Sequence, residues 1–131
     1  MGFQVTAVEK ISWLYEVMKN ELDLAKLGDS VLENINLQNG DSLELAEKMR
    51  PDVIYFDPVF DLKKKETAKQ PMELLRSITL NKNPQDCIEH LLDCCSERLI
   101  YKRHKKQKST LQKFITFSVT GKSVAFDVYQ K

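Results

Sequence analysis

Residues 52–56, Asp-Val-Ile-Tyr-Phe, form a nearly continuous apolar run that passes directly into Asp57-Pro58-Val59-Phe60. A short run of this kind, rich in β-branched and aromatic residues, predicts a parallel strand buried on both faces. Such strands belong to sheets with helices on either side, so the run points to the α/β class before anything else is read.

The rest of the chain agrees in its periodicities. Residues 4–8 read as a short strand ending at Glu9. From Lys10 to about Leu27 the apolar positions Ile11, Leu14, Tyr15, Met18, Leu22 and Leu24 follow helical spacing, and Gly28 supplies the stop. A second strand is predicted over 35–38, followed by the turn Asn39-Gly40-Asp41 and a short helix over 42–49 with Asp41 or Ser42 as its cap. After the central run, residues 61–70 are polar and lysine-rich and read as a loop. Helical patterns resume over 71–78 and from Pro84 to about Cys95, each opening on a proline. A strand is predicted over 98–102, and residues 114–119 and 123–129 flank a Thr-Gly turn as a β-hairpin. The predicted order is βαβαβ, two helices, a strand and a hairpin: one domain over 1–131, with a mostly parallel sheet and an antiparallel edge.

With 131 residues there is room for one domain and no more. Twenty Lys and Arg stand against 19 Asp and Glu, so total charge neither favours nor excludes a nucleic-acid partner and its distribution must decide. No apolar run approaches the roughly 18–20 residues of a membrane span, so no membrane partner is expected. The three cysteines, Cys87, Cys94 and Cys95, are odd in number and include an adjacent pair. That is a poor disulfide framework, and a reducing cytoplasm is expected. Cys87, His90 and Cys94 share one helical face, but closed zinc sites draw ligands from separate elements, so no metal is expected.

In an open α/β sheet, ligands bind beyond the carboxyl ends of the strands. Glu9, Asp41 and Asp57 stand at three such ends. Glu9 suits a ribose diol, because a carboxylate offers two acceptor oxygens; Asp41 could accept from the exocyclic amine of adenine. Each acid is equally what a following helix recruits as its cap. Asp57-Pro58 is more specific. An exocyclic amine on a base has its lone pair delocalised into the ring and is a poor nucleophile. Two acceptors aimed at its hydrogens, the Asp57 carboxylate and the Pro58 carbonyl, would align the nitrogen and stabilise the positive charge that develops on it. Phe60 would offer a face for the extruded base, a contact worth about 1–3 kcal/mol. Basic residues cluster after two strands, at Lys63, Lys64, Lys65 and Lys69 and again at Lys102, Arg103, Lys105, Lys106 and Lys108. Both clusters would form a positive rim beside Asp57, as a phosphate backbone requires.

Asp57-Pro58-Val59-Phe60 resembles the Asp/Asn-Pro-Pro-Tyr/Phe signature of S-adenosylmethionine (SAM)-dependent amino-methyltransferases, with Val59 in place of the second proline. More closely, the chain resembles bacterial methyltransferases of the guanine amine (N2) in small-subunit ribosomal RNA, the family whose motif reads Asp-Pro-Met-Phe. The stretches that carry the likeness are residues 51–60, 63–68, 98–103 and 126–129, with Gly40-Asp41-Ser42 similar to that family's turn at the adenine of SAM. The resemblance implies a Rossmann-like class I sheet and SAM as cofactor, held by Glu9, Asp41, Ser42 and Asp57. It implies Asp57, Pro58 and Phe60 at the target base. The partner it implies is ribosomal RNA or the small ribosomal subunit. One departure stands out. The four glycines, Gly2, Gly28, Gly40 and Gly121, are scattered, and that family's first strand with its glycine-rich loop is expected ahead of residue 1. The expected sheet lacks its first strand and closes over a gap, remains incomplete, or borrows a strand from another chain, as in a homo-oligomer. A non-catalytic RNA-binding remnant and an amino-methyltransferase of another base are the alternative readings.

Overall fold

The computed structural model describes residues 2–58 and 84–131. The expected loop over 61–70 and helix over 71–78 lie outside the described residues. Two compact units divide the chain, Met1–Met49 and Arg50–Lys131.

The first unit opens with strand β1, Val5–Glu9, and helix α1, Ser12–Lys26. A 3-10 turn over Ser30–Asn34 leads into β2, Ile35–Asn39, and helix α2, Ser42–Met49, completes the unit. The two strands pair in parallel, Val5 opposite Ile35 through Glu9 opposite Asn39. The sequence missed the 3-10 turn. It is set by Asp29, whose carboxylate accepts from the backbone N–H of Val31 at 2.9 Å, the local bond that favours Asp at such starts. Asp41 caps α2, its Oδ1 accepting from the N–H of Leu43 at 2.9 Å.

The second unit is a four-stranded sheet with helix α3. Its elements are β3, Val53–Phe56, α3, Pro84–Cys94, β4, Arg98–His104, β5, Phe117–Thr120, and β6, Val124–Gln130. The order across the sheet is β3-β4-β6-β5, parallel between β3 and β4 and antiparallel elsewhere. Buried positions Cys87, Ile88, Leu91, Cys94 and Cys95 recur at helical spacing and form the face that α3 turns inward against β4. Beneath it lie Leu99, Tyr101, Ala125 and Tyr129. Phe56 stacks on Tyr101, with ring centroids 6.0 Å apart.

Two expectations are corrected here. β3 is not buried on both faces, because Ile54 and Phe56 are half-buried whereas Val53 and Tyr55 are 43% and 55% exposed. Among the described residues the strand has one sheet neighbour, β4. The second correction is length: β4 runs on to His104, which draws Arg103 and His104 out of the expected basic segment and into the ladder.

Candidate functional site

In the first unit, the ends of β1 and β2 are tied together by side chains. Asn39 donates from Nδ2 to the carbonyl of Glu9 at 2.8 Å and accepts at Oδ1 from the hydroxyl of Ser12 at 3.3 Å. The N–H of Gly40 reaches the same Glu9 carbonyl at 3.1 Å. Glu9 turns its carboxylate back on the chain, Oε1 accepting from the N–H of Ile11 at 2.7 Å. Asp41 uses Oδ1 for the cap of α2 and Oδ2 for an ion pair with Lys10 at 3.0 Å. The structure therefore brings Glu9, Asp41 and Ser42 to one end of this parallel pair. It also gives Asp41 the capping work that the sequence left as its alternative, whereas the bond from Glu9 reaches Ile11 just ahead of α1 and caps no helix. Lys10 and Asn39 were missed. In the sequence Asn39 reads only as part of the turn Asn39-Gly40-Asp41, yet its amide joins the two strand ends.

In the second unit, Asp57 follows β3 directly, and proline at 58 biases it toward extended backbone. Its Oδ2 accepts from the ammonium of Lys102 at 2.8 Å, with Asp57 and Lys102 side chains 40% and 26% exposed. The register explains the meeting, since Phe56 lies opposite Tyr101 and the next residue along each strand shares the other face. The hydrogen bond to Asp57 holds the Lys102 ammonium above the ordinary lysine range despite partial desolvation. Tyr55, two residues before Asp57, is on this face as well. Its phenol is pushed up by burial first and then by the Asp57 charge.

Arg103 points the other way. It is 8% exposed and forks onto the fully buried Asp127, Nε to Oδ2 at 2.7 Å and Nη2 to Oδ1 at 3.1 Å. The hydroxyl of Ser118 donates to Asp127 Oδ1 at 2.6 Å, and Arg103 Nη1 reaches the carbonyl of Gln107 at 2.8 Å. Burial pushes the Asp127 carboxyl up, but hydrogen bonds from Arg103, Ser118 and Ser109 outweigh it and hold the group below the usual carboxylate range. The Arg103 guanidinium is thus committed to a buried carboxylate. Lys105 and Lys106 are exposed beyond the strand. Phe60, Lys63, Lys64 and Lys65 lie outside the described residues.

Parallel pairing in both units, with antiparallel strands at the C-terminal end, makes a mixed α/β fold of the kind found in methyltransferases. A SAM-dependent methyltransferase from Neisseria gonorrhoeae has this fold: it superposes on 97% of the chain and 52% of its own length with a TM-score of 0.68, at 21% identity. All of residues 1–131 match the family described as "Putative SAM-dependent methyltransferase", and the chain belongs to that family, whose cofactor is SAM. Among curated relatives, the ribosomal RNA small subunit methyltransferase J of Dechloromonas aromatica is 29% identical over 139 residues, covering 100% of this chain and 57% of the relative. The protein of the same name from Colwellia psychrerythraea is 28% identical, covering 100% and 50%. The chain spans about half the length of the relatives it matches. No helix among the described residues is long and apolar enough to cross a membrane.

Proposed function

We propose that the chain is part of a single methyltransferase domain that uses SAM to methylate the exocyclic amine, N2, of guanine in small-subunit ribosomal RNA, in the cytoplasm. The observation that carries this reading is the carboxylate of Asp57 at the carboxyl end of β3, followed by Pro58 and fixed by a cation from the next strand. SAM supplies an electrophilic methyl group on a sulfonium. The residues at the ends of β1 and β2 suit its adenosine. The Glu9 carboxylate has Oε2 beyond the oxygen that bonds Ile11, as a ribose diol needs, and Asp41 and Ser42 stand beside it at the next strand end. Asp57 and the Pro58 carbonyl would accept hydrogen bonds from the two hydrogens of the guanine amine, orient its nitrogen and stabilise the positive charge that grows there as the N–C bond forms and the S–C bond of the sulfonium breaks; the thioether would leave neutral and the nitrogen would then lose one proton to solvent. Phe60 stacks on the base. Lys63, Lys64, Lys65, Lys105 and Lys106 hold RNA phosphates. A second copy that lends a strand would complete the sheet; light scattering at twice the chain's 15.2 kDa supports that partner, and the single mass removes it.

The test is transfer of labelled methyl from SAM to unmodified small-subunit RNA or particles, followed by nucleoside analysis, for the parent chain and Asp57→Ala. N2-methylguanosine from the parent and none from the variant is expected, with SAM binding kept. Label on another base moves the reading to a different amine. RNA binding without SAM binding leaves a non-catalytic RNA-binding remnant.

A further inference from the structure

We propose that Lys102 is a positioning residue for the methyl-acceptor site rather than part of the phosphate-binding rim. The inference rests on the assignment of Asp57 as the acceptor of the amine. Lys102 is anchored in the middle of the sheet, paired with Phe126 of β6 on one side and lying beside the end of β3 on the other. Its backbone is held further by its neighbours, since Tyr101 and Arg103 are both buried on the opposite face. A lysine rooted in this way has little freedom to follow a nucleic-acid backbone, whereas Lys105 and Lys106 beyond the strand are exposed. Its ammonium already has a partner, Oδ2 of Asp57 at 2.8 Å.

The consequence for Asp57 is geometric. A free aspartate rotates about its side-chain bonds, and most of its orientations would miss an amine presented at the strand end. A carboxylate has two oxygens and roughly four acceptor positions. Lys102 occupies one from the neighbouring strand. What remains is aimed, and it is what a planar amine requires. A positive charge beside a nitrogen that becomes cationic is electrostatically unhelpful in itself, so the value of Lys102 comes through Asp57. Its loss therefore lowers turnover with little change in RNA affinity, and it has nothing left to act on once Asp57 is gone.

Two measurements decide this. The first needs no turnover: reductive methylation of the lysines of the intact chain, read by mass spectrometry. Lys102 is expected to react more slowly than Lys105, and severalfold faster in Asp57→Asn than in the parent. Equal reactivity that ignores Asp57→Asn overturns the proposal. The second is kinetic, on RNA with SAM. Lys102→Met is expected to lower kcat by roughly ten- to a hundredfold, as a displaced reacting group does. KM for RNA and the salt slope of binding should stay in place. Lys102→Arg should restore much of the rate, and Lys102→Met should add no loss in an Asp57→Asn background. An unchanged kcat with weaker, less salt-sensitive RNA binding returns Lys102 to the phosphate rim and leaves Asp57 untouched. Full turnover by Asp57→Asn alone instead removes the acceptor assignment itself, whatever Lys102 does.

Discussion

Lys102 and Arg103 are consecutive cations with opposite surroundings. One meets a half-exposed carboxylate, the other a carboxylate with no solvent contact. Breaking a buried pair from one side costs about 3–5 kcal/mol, because the remaining charge is left without compensation. Arg103→Met is therefore expected to lower stability in urea denaturation by that order while leaving the salt dependence of RNA binding where it was. A change confined to the salt dependence would contradict the buried assignment. The pH dependence has a definite sign. Asp127 is held below the usual carboxylate range, so its contribution is complete above the unfolded-state value of about 3.9. It is lost as pH falls through the lower folded value. The stability gap between the parent and Asp127→Asn should be widest near neutrality and should narrow steadily in strong acid.

At the scale of elements, α3 and α2 make separable predictions. Leu91 sits at the centre of the inward face of α3 and is 2% exposed, so Leu91→Ala should destabilise the chain by about 2–5 kcal/mol. Asp41→Ala removes the cap of α2 and should cost about 0.5–2 kcal/mol, whereas Asn at that position keeps the cap. Thermal melts of the three variants check the order. Most elements could be read in advance because their signals are local. The spacing of Ile11, Leu14, Tyr15 and Met18 names α1, and the Thr-Gly turn names the hairpin of β5 and β6. The length of β4 was not legible. Arg103 and His104 look like part of a solvated basic run until Asp127, far away in sequence, is known to hold Arg103.

For the whole molecule, near-zero net charge conceals a division between cations turned toward carboxylates and cations left at the surface. Lys105 and Lys106 are both exposed beyond the end of β4. Substituting both by Gln should lower the slope of log affinity against log salt by about 0.7 for each phosphate they touch on single-stranded RNA. Filter binding across a salt series measures it, and an unaltered slope would move phosphate recognition elsewhere on the chain.

The ladder between β4 and β6 carries one more implication. Side chains of a strand alternate between its faces, so a slip of a single residue would exchange the places of Lys102 and Arg103. The guanidinium would then swing toward the proposed amine-binding edge, and a lysine would be thrust toward the buried Asp127. The Arg103–Asp127 fork fits only one phase of the pairing, from Arg98 opposite Gln130 to His104 opposite Val124. An ionic lock on the hidden side of the sheet thus acts as a ruler for chemistry on the visible side, and a core substitution there would misalign Asp57 and Lys102 without touching either.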